Sequence, residues 1–456
     1  MAEDLKRSLS LTGCVAVIVG LVIGPSIFVV IPSLAAMTGP SLYLAYLISV
    51  IPAIFTGLYL MQLGGALPVT GSNYVAVTRW ISPNAGFILS FAVVIAIVST
   101  NCLVAWGFAQ YLGVYIQNIS HLAIALVIII LFGFINWIGI KIFEVAQVLM
   151  MVVFIIAMLI FGLSGMANIQ PEYTAPLFPK GMGSFFLVIV IATFSWAGFV
   201  SITEVAGEIK NPRRNIPLSI IISIVIILIL YVLQTYVLTG TLLWSKAGEI
   251  GPTAVLVAAK SFLPGWLVAY VAFAALLAMA TTINAITLIA AREMYAWSRD
   301  HILPSVFNKL HPRFYTPGGT ILLVVIFSIA GTLFAADLDK YALMVVFALM
   351  IIQIFGATAT WLMPKKAPEL YEKSQIKFSP FWRWFTWLGC IICFTFIFLF
   401  GFLADWKTGL IFIGIMLIGV VYWFIRKTQL ERNGISLEEE LKEFSTGVLA
   451  ELEDSN

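Results

Sequence analysis

Two hydrophobic stretches carry residue types that disrupt a helix where hydrocarbon tolerates little disruption. One reads Gly20-Leu21-Val22-Ile23-Gly24-Pro25-Ser26-Ile27-Phe28, the other Phe194-Ser195-Trp196-Ala197-Gly198-Phe199. In a bilayer, unwound backbone survives only where protein covers it or where it lines a wet cavity. A half-helix that begins at such a break offers N–H groups and a positive dipole end, which suit a carboxylate. The half-helix that ends there offers carbonyl oxygens, which suit an ammonium or a metal cation. Gly24 and Ser26 let a ligand approach the backbone. Pro25 fits the first turn of the second half-helix, although it removes one donor. Trp196 and Phe199 flank the second break, where they can gate a pocket, stack on a ligand or simply pack. For one break alone, a Pro-kinked helix without a ligand explains as much. Two breaks in matching positions point to a central transport site.

Glu204 reads as the one acid clearly inside a span, and an ionisable group at that depth is a functional candidate. It could carry a coupling proton, pair with a cation at a gate or bind an amine; a hydrated acid bonded to neighbouring helices is the structural alternative. Glu208, beside Lys210, reads as a gate or cap residue. A sodium ion would need oxygen ligands. Carbonyls near Val22 and Ile23 with the hydroxyls of Thr281 and Thr282 could supply them, or those hydroxyls bond back to carbonyls one turn earlier. His121, His301 and His311 are scattered over span ends and loops, and Cys14, Cys102, Cys390 and Cys393 lie in apolar stretches. They form no metal-like set. No nucleophile–base pair is visible, so the expectation is no enzyme and no cofactor.

The elements that must position these residues are membrane helices. Of the 456 residues 61% are hydrophobic and 10% charged, which excludes a soluble domain of this size, and a net charge of +3 gives no reason to expect nucleic acid as a partner. Apolar runs predict twelve spans, near 10–36, 41–66, 84–117, 121–139, 142–166, 184–207, 217–242, 263–297, 318–336, 339–363, 384–404 and 407–425. The breaks fall in the first span of each of two five-span units, 10–166 and 184–363. That placement predicts an inverted repeat, followed by two further helices at 384–425. Twenty Lys and Arg, the Lys210–Arg214 run and Lys365-Lys366 among them, fall on the side of the termini and five on the other. This bias places residues 1–9 and 426–456 in the cytoplasm. In the acidic tail, Ser436 and Glu439 form a capping box, and Leu437, Leu441, Phe444 and Val448 recur at helical spacing.

At several of these stretches the chain resembles the amino acid–polyamine–organocation superfamily of transporters. The first-span pattern G-x-x-I-G-S-G-I-F is matched by Gly20, Ile23, Gly24, Ile27 and Phe28, with Pro25 and Ser26 replacing Ser and Gly. The sixth-span core, its exit Glu208 to Pro217, the turn Leu67 to Tyr74 and the stretch Asn284 to Pro304 also match. The resemblance implies the leucine-transporter fold, all-α, with interrupted helices 1 and 6. It also implies a substrate carboxylate at Ile23, Gly24, Pro25 and Ser26, and an ammonium at carbonyls near Phe194, Ser195 and Ala197. Many relatives carry a Lys seven residues after a Gln that matches Gln147, in place of a coupling sodium; here that position is Phe154.

The expectation is therefore a permease of the plasma membrane that moves amino acids, neutral ones foremost, by alternating access, with H+ or Na+ coupling or exchange all open. An amine or polyamine carrier using Glu204 as counter-charge is the nearest rival, and a non-transporting amino acid sensor another.

Overall fold

The computed structural model describes residues 9–69, 71–116, 118–138, 143–299, 301–314, 316–334, 337–374 and 376–433. The amphipathic pattern read in the tail at Ser436–Val448 lies outside them. Among the described residues the only β element is an isolated bridge between Leu9 and Ile209.

Helix α1 (Leu11–Pro25) starts at Ser10, whose hydroxyl accepts the Gly13 N–H at 3.2 Å. A π-helical turn, Ser26–Val30, carries it into α2 (Ile31–Thr38). Gly39, at φ 71°, then lets the chain turn into α3 (Leu42–Ala66). A short α4 (Ser72–Trp80) precedes α5 (Pro83–Gly113), α6 (His121–Ile138) and α7 (Phe143–Met166). Next come α8 (Gly181–Ala192), a 3₁₀ segment at Thr193–Val200 and the single turn α9 (Ser201–Glu204). Helix α10 (Pro212–Thr241) is followed by the short α11 (Trp244–Ile250) and α12 (Ala254–Lys260), then by the long α13 (Gly265–Arg299). The chain ends its described part with α14 (Gly318–Phe334), α15 (Leu338–Lys366), α16 (Pro368–Lys373), α17 (Pro380–Ala404) and α18 (Trp406–Arg432).

Among the described residues ten stretches are long and apolar enough to cross a bilayer, with Leu11–Ala66 taken as one. That stretch holds two of the expected spans, and the 17-residue α14 supplies another. The protein is an all-α polytopic membrane protein of about twelve crossings. Four helices went unread in the sequence: α4, α11, α12 and α16 are too short or too polar to register as spans.

Helices divide by what they face. Side chains of α1 are almost all buried, whereas Phe134 on α6, Leu163 on α7, Leu403 on α17 and Ile418 on α18 are exposed by 61%, 65%, 77% and 71%. Apolar side chains left outside in this way suit lipid, which offers no hydrophobic reason to bury them. Small residues set the close inner contacts instead. On α3, a Cβ at Gly57 would sit 3.0 Å from Ile220 of α10, and one at Gly64 would sit 3.0 Å from Ile216. The exit of the sixth span is fixed by Asn211 at φ 46°, by Pro212 as the first residue of α10, and by the Asn215 amide donating to the Lys210 carbonyl at 2.5 Å.

Candidate functional site

Both spans are interrupted, but by changes of winding rather than by the unwound backbone that the residue types of Gly20–Phe28 and Phe194–Phe199 suggest. The cause at the first is local. Pro25 has no N–H to bond back one turn, and the Ser26 N–H goes to the Ile23 carbonyl instead of to that of Val22. The Val22 carbonyl accepts from the Ser26 hydroxyl at 3.0 Å and from the Tyr231 hydroxyl at 2.8 Å. The helix then widens into the π turn, a form that concentrates at functional sites. At the second, Thr193–Val200 tightens into an eight-residue 3₁₀ run, longer than such runs usually are.

The two interruptions touch. A Cβ on Gly198 would lie 2.7 Å from Val22 Cγ2, 3.0 Å from the Val22 nitrogen and 3.1 Å from the Leu21 carbonyl carbon. Tyr231 of α10 bridges them, its hydroxyl 2.8 Å from the Val22 oxygen and 3.1 Å from the Ser195 oxygen. Tyr46 of α3 reaches the Ser195 hydroxyl at 3.0 Å, and the Trp196 indole N–H donates to Ser49 at 2.9 Å. Trp196 meets the Tyr231 ring edge-on at 5.4 Å and lies nearly parallel to Phe199 at 6.1 Å. Ile23, Gly24, Ser26, Phe194, Ser195, Trp196 and Phe199 are buried, and Ala197 is partly so. The side chain of Pro25 is outside the described residues.

Helix α13 closes the other flank of α1. The Thr282 hydroxyl donates to the Gly20 carbonyl at 3.2 Å or to Ala278 at 3.0 Å, and no Cβ could stand on Gly24 without striking it. Thr281 instead bonds back to Ala278 at 2.8 Å. Of the two threonines only Thr282 reaches the first span. Gln147 of α7 donates to the Ala16 carbonyl at 3.5 Å, and Phe154 is buried, so an apolar ring stands where the resembling family carries Lys.

One end of the junction is sealed. Leu9 pairs with the exit of the sixth span, its N–H on the Glu208 carbonyl and its carbonyl on the Lys210 N–H, both at 2.9 Å. The Glu208 carboxylate takes the Arg292 guanidinium of α13. Just inside this closure lie Glu204, 8% exposed, and Glu293 of α13, 4% exposed, which takes the Ser90 hydroxyl of α5. Glu204 is thus not the single acid inside a span. At the opposite end a cavity of about 520 Å³ is lined by Val29, Ser33, Gly251, Pro252, Asp337 and Asp339.

Residue type alone marked the two interruptions, but Tyr46, Tyr231 and Glu293 were missed. Tyr231 lies in a helix apolar on every face, so periodicity singles out no inward side. Glu293 follows Arg292 near the end of a long span and reads as part of a surface charge pair; counting α13 from its first turn is the signal that would have placed it inside.

The sequence pattern of the family described as amino acid permease matches residues 13–433. A branched-chain amino acid permease of Bacillus subtilis is 24% identical over 445 residues, 93% of each chain. A methylthioribose transporter of the same organism is 25% identical over 83% of this chain and 86% of its own. Cationic amino acid transporter 5 of Arabidopsis thaliana is 25% identical over 75% of this chain and 62% of its own. With the match running through the interrupted first span, the sixth-span junction and the helices beyond, this chain belongs to the amino acid permease family.

Proposed function

We propose that the protein is a secondary active transporter that carries neutral L-amino acids across the cell membrane by alternating access. The junction of Val22–Ser26 with Ser195–Phe199 carries this reading. Every side chain described there is uncharged: Ser26, Ser195 and Thr282 with the rings of Tyr46, Trp196 and Tyr231. In this reading the substrate carboxylate is held by the backbone of Ile23, Gly24, Pro25 and Ser26. The ammonium is held by carbonyls at Phe194, Ser195 and Ala197. The hydroxyl of Tyr231 guards one of these carbonyls, and an ammonium can replace it as donor. Units 10–166 and 184–363, each opening on an interrupted span, form the inverted repeat, and the Lys and Arg bias supports cytoplasmic termini.

One observation favours neutral amino acids over amines: the similar Bacillus subtilis protein is named for branched-chain amino acids. A thermal-shift series on the purified protein tests this, pairing L-leucine, L-valine and L-arginine with their decarboxylated amines. A ligand at about a hundred times its dissociation constant adds roughly 2.7 kcal/mol. Leucine and valine are expected to stabilise and their amines not. Equal stabilisation by the amines would remove the carboxylate from the first-span site.

A further inference from the structure

Resting on that reading of the protein as a carrier of amino acids, we propose that the hydroxyl of Tyr111 binds the substrate carboxylate at an entry subsite. The subsite lies between the cavity at Val29 and the junction of the two interrupted spans. Tyr111 stands in the last turn of α5 and is fully buried. Among the described residues its hydroxyl has no hydrogen-bond partner. A buried hydroxyl left unpaired is costly, and native interiors keep few of them. Phenylalanine would fill the same space and make the same ring contact without that cost. A ligand group that arrives and leaves accounts for the hydroxyl.

Three contacts place Tyr111 beside the route from the cavity to the junction. Its ring meets Phe28 edge-on, with centroids 6.0 Å apart and planes at 82°. One turn earlier on α5, no Cβ could stand on Gly107 without striking Val29. The neighbouring Gln110 side chain would lie 3.9 Å from a Cβ on Gly251. Val29 and Gly251 line the cavity of about 520 Å³, and Phe28 and Val29 belong to the π turn that begins at Ser26. An amino acid moving along that turn from Val29 to Ser26 has to part the Phe28 and Tyr111 rings, which brings the hydroxyl into reach. Chemistry selects the end of the substrate held there. A phenol O–H donates, and its bond to a charged acceptor is stronger than one to a neutral acceptor. The charged side chains lining the cavity are both acids. Asp337 is paired with Lys340 at 3.0 Å. Asp339 takes the Ser33 hydroxyl at 2.7 Å, and its other oxygen is buried without a partner among the described residues. The two acids draw the ammonium and repel the carboxylate, which turns to the wall that α5 backs. The carboxylate is then already beside the first span, whose backbone at Ile23–Ser26 takes it next.

Tyr111→Phe tests this, because loss of the hydroxyl acts in opposite ways on a structural and on a ligand-binding role. In purified protein without substrate, the unfolding midpoint should hold or rise, since the group removed has no partner. In liposomes, the KM for exchange of labelled leucine should rise about tenfold at an unchanged maximal rate, as for one lost hydrogen bond to a charged group. Leucinamide, which lacks the carboxylate, should inhibit wild type and variant to the same extent. A lowered midpoint overturns the proposal, because the hydroxyl then has a structural partner. An unchanged KM overturns it too, and tenfold weaker inhibition of the variant by leucinamide removes the assignment to the carboxylate. In each of these cases leucine exchange by wild type leaves the transport reading standing. A wild type that exchanges no leucine ends that reading and the entry subsite with it.

Discussion

Tyr231 sets one hydroxyl between the carbonyls of Val22 and Ser195, at 2.8 and 3.1 Å, and so joins the two interrupted spans through a residue of neither. A hydroxyl has a single hydrogen, which serves one carbonyl at a time. Tyr231→Phe keeps the ring contacts and leaves a buried carbonyl short of a donor, a loss of about 1–3 kcal/mol. Equilibrium unfolding in mixed micelles should register it; an unchanged midpoint would mean that the Ser26 hydroxyl alone satisfies Val22. At this scale the sequence was only half legible. Gly24, Pro25 and Ser26 announce themselves because each is wrong for an ordinary membrane helix. Tyr46 and Tyr231 do not, because an aromatic residue in an apolar helix is an ordinary packing residue until its hydroxyl finds a partner.

Winding is what the elements add. Missing N–H groups and small residues marked where the spans would be disturbed, yet the local pattern does not say whether the chain unwinds, widens or tightens. That choice depends on neighbours: the hydroxyls of Ser26 and Tyr231 let the first span stay wound through a π turn, and Gly198 lets the 3₁₀ run lie against it. Gly198→Ala tests the contact. The added carbon would meet backbone at Val22 and Leu21, which cannot swing aside as a side chain can, so a cost of about 1–3 kcal/mol is expected. Leucine exchange should slow as well, because this surface changes whenever the sixth span moves past the first. Full stability and full rate in Gly198→Ala would show that the two spans are not packed this tightly in the working protein.

The whole molecule was the most legible scale, since composition and the length of the apolar runs force a bundle of helices with lipid around it. Missed there were α4, α11, α12 and α16, together with the pairing of Leu9 with Ile209, which depend on contacts between distant segments. In this structure the end carrying Leu9, Glu208 and Arg292 is closed, and a cavity reaches Val29 from the other. A carrier working by alternating access needs such an asymmetry and must be able to reverse it. Solute counterflow measures that reversal directly. Liposomes holding the protein and loaded with unlabelled L-leucine are placed in a trace of labelled L-leucine, with no ion gradient imposed. Transient accumulation of label above protein-free liposomes is the predicted result. Label that binds the protein without ever accumulating inside would contradict transport and identify a sensor.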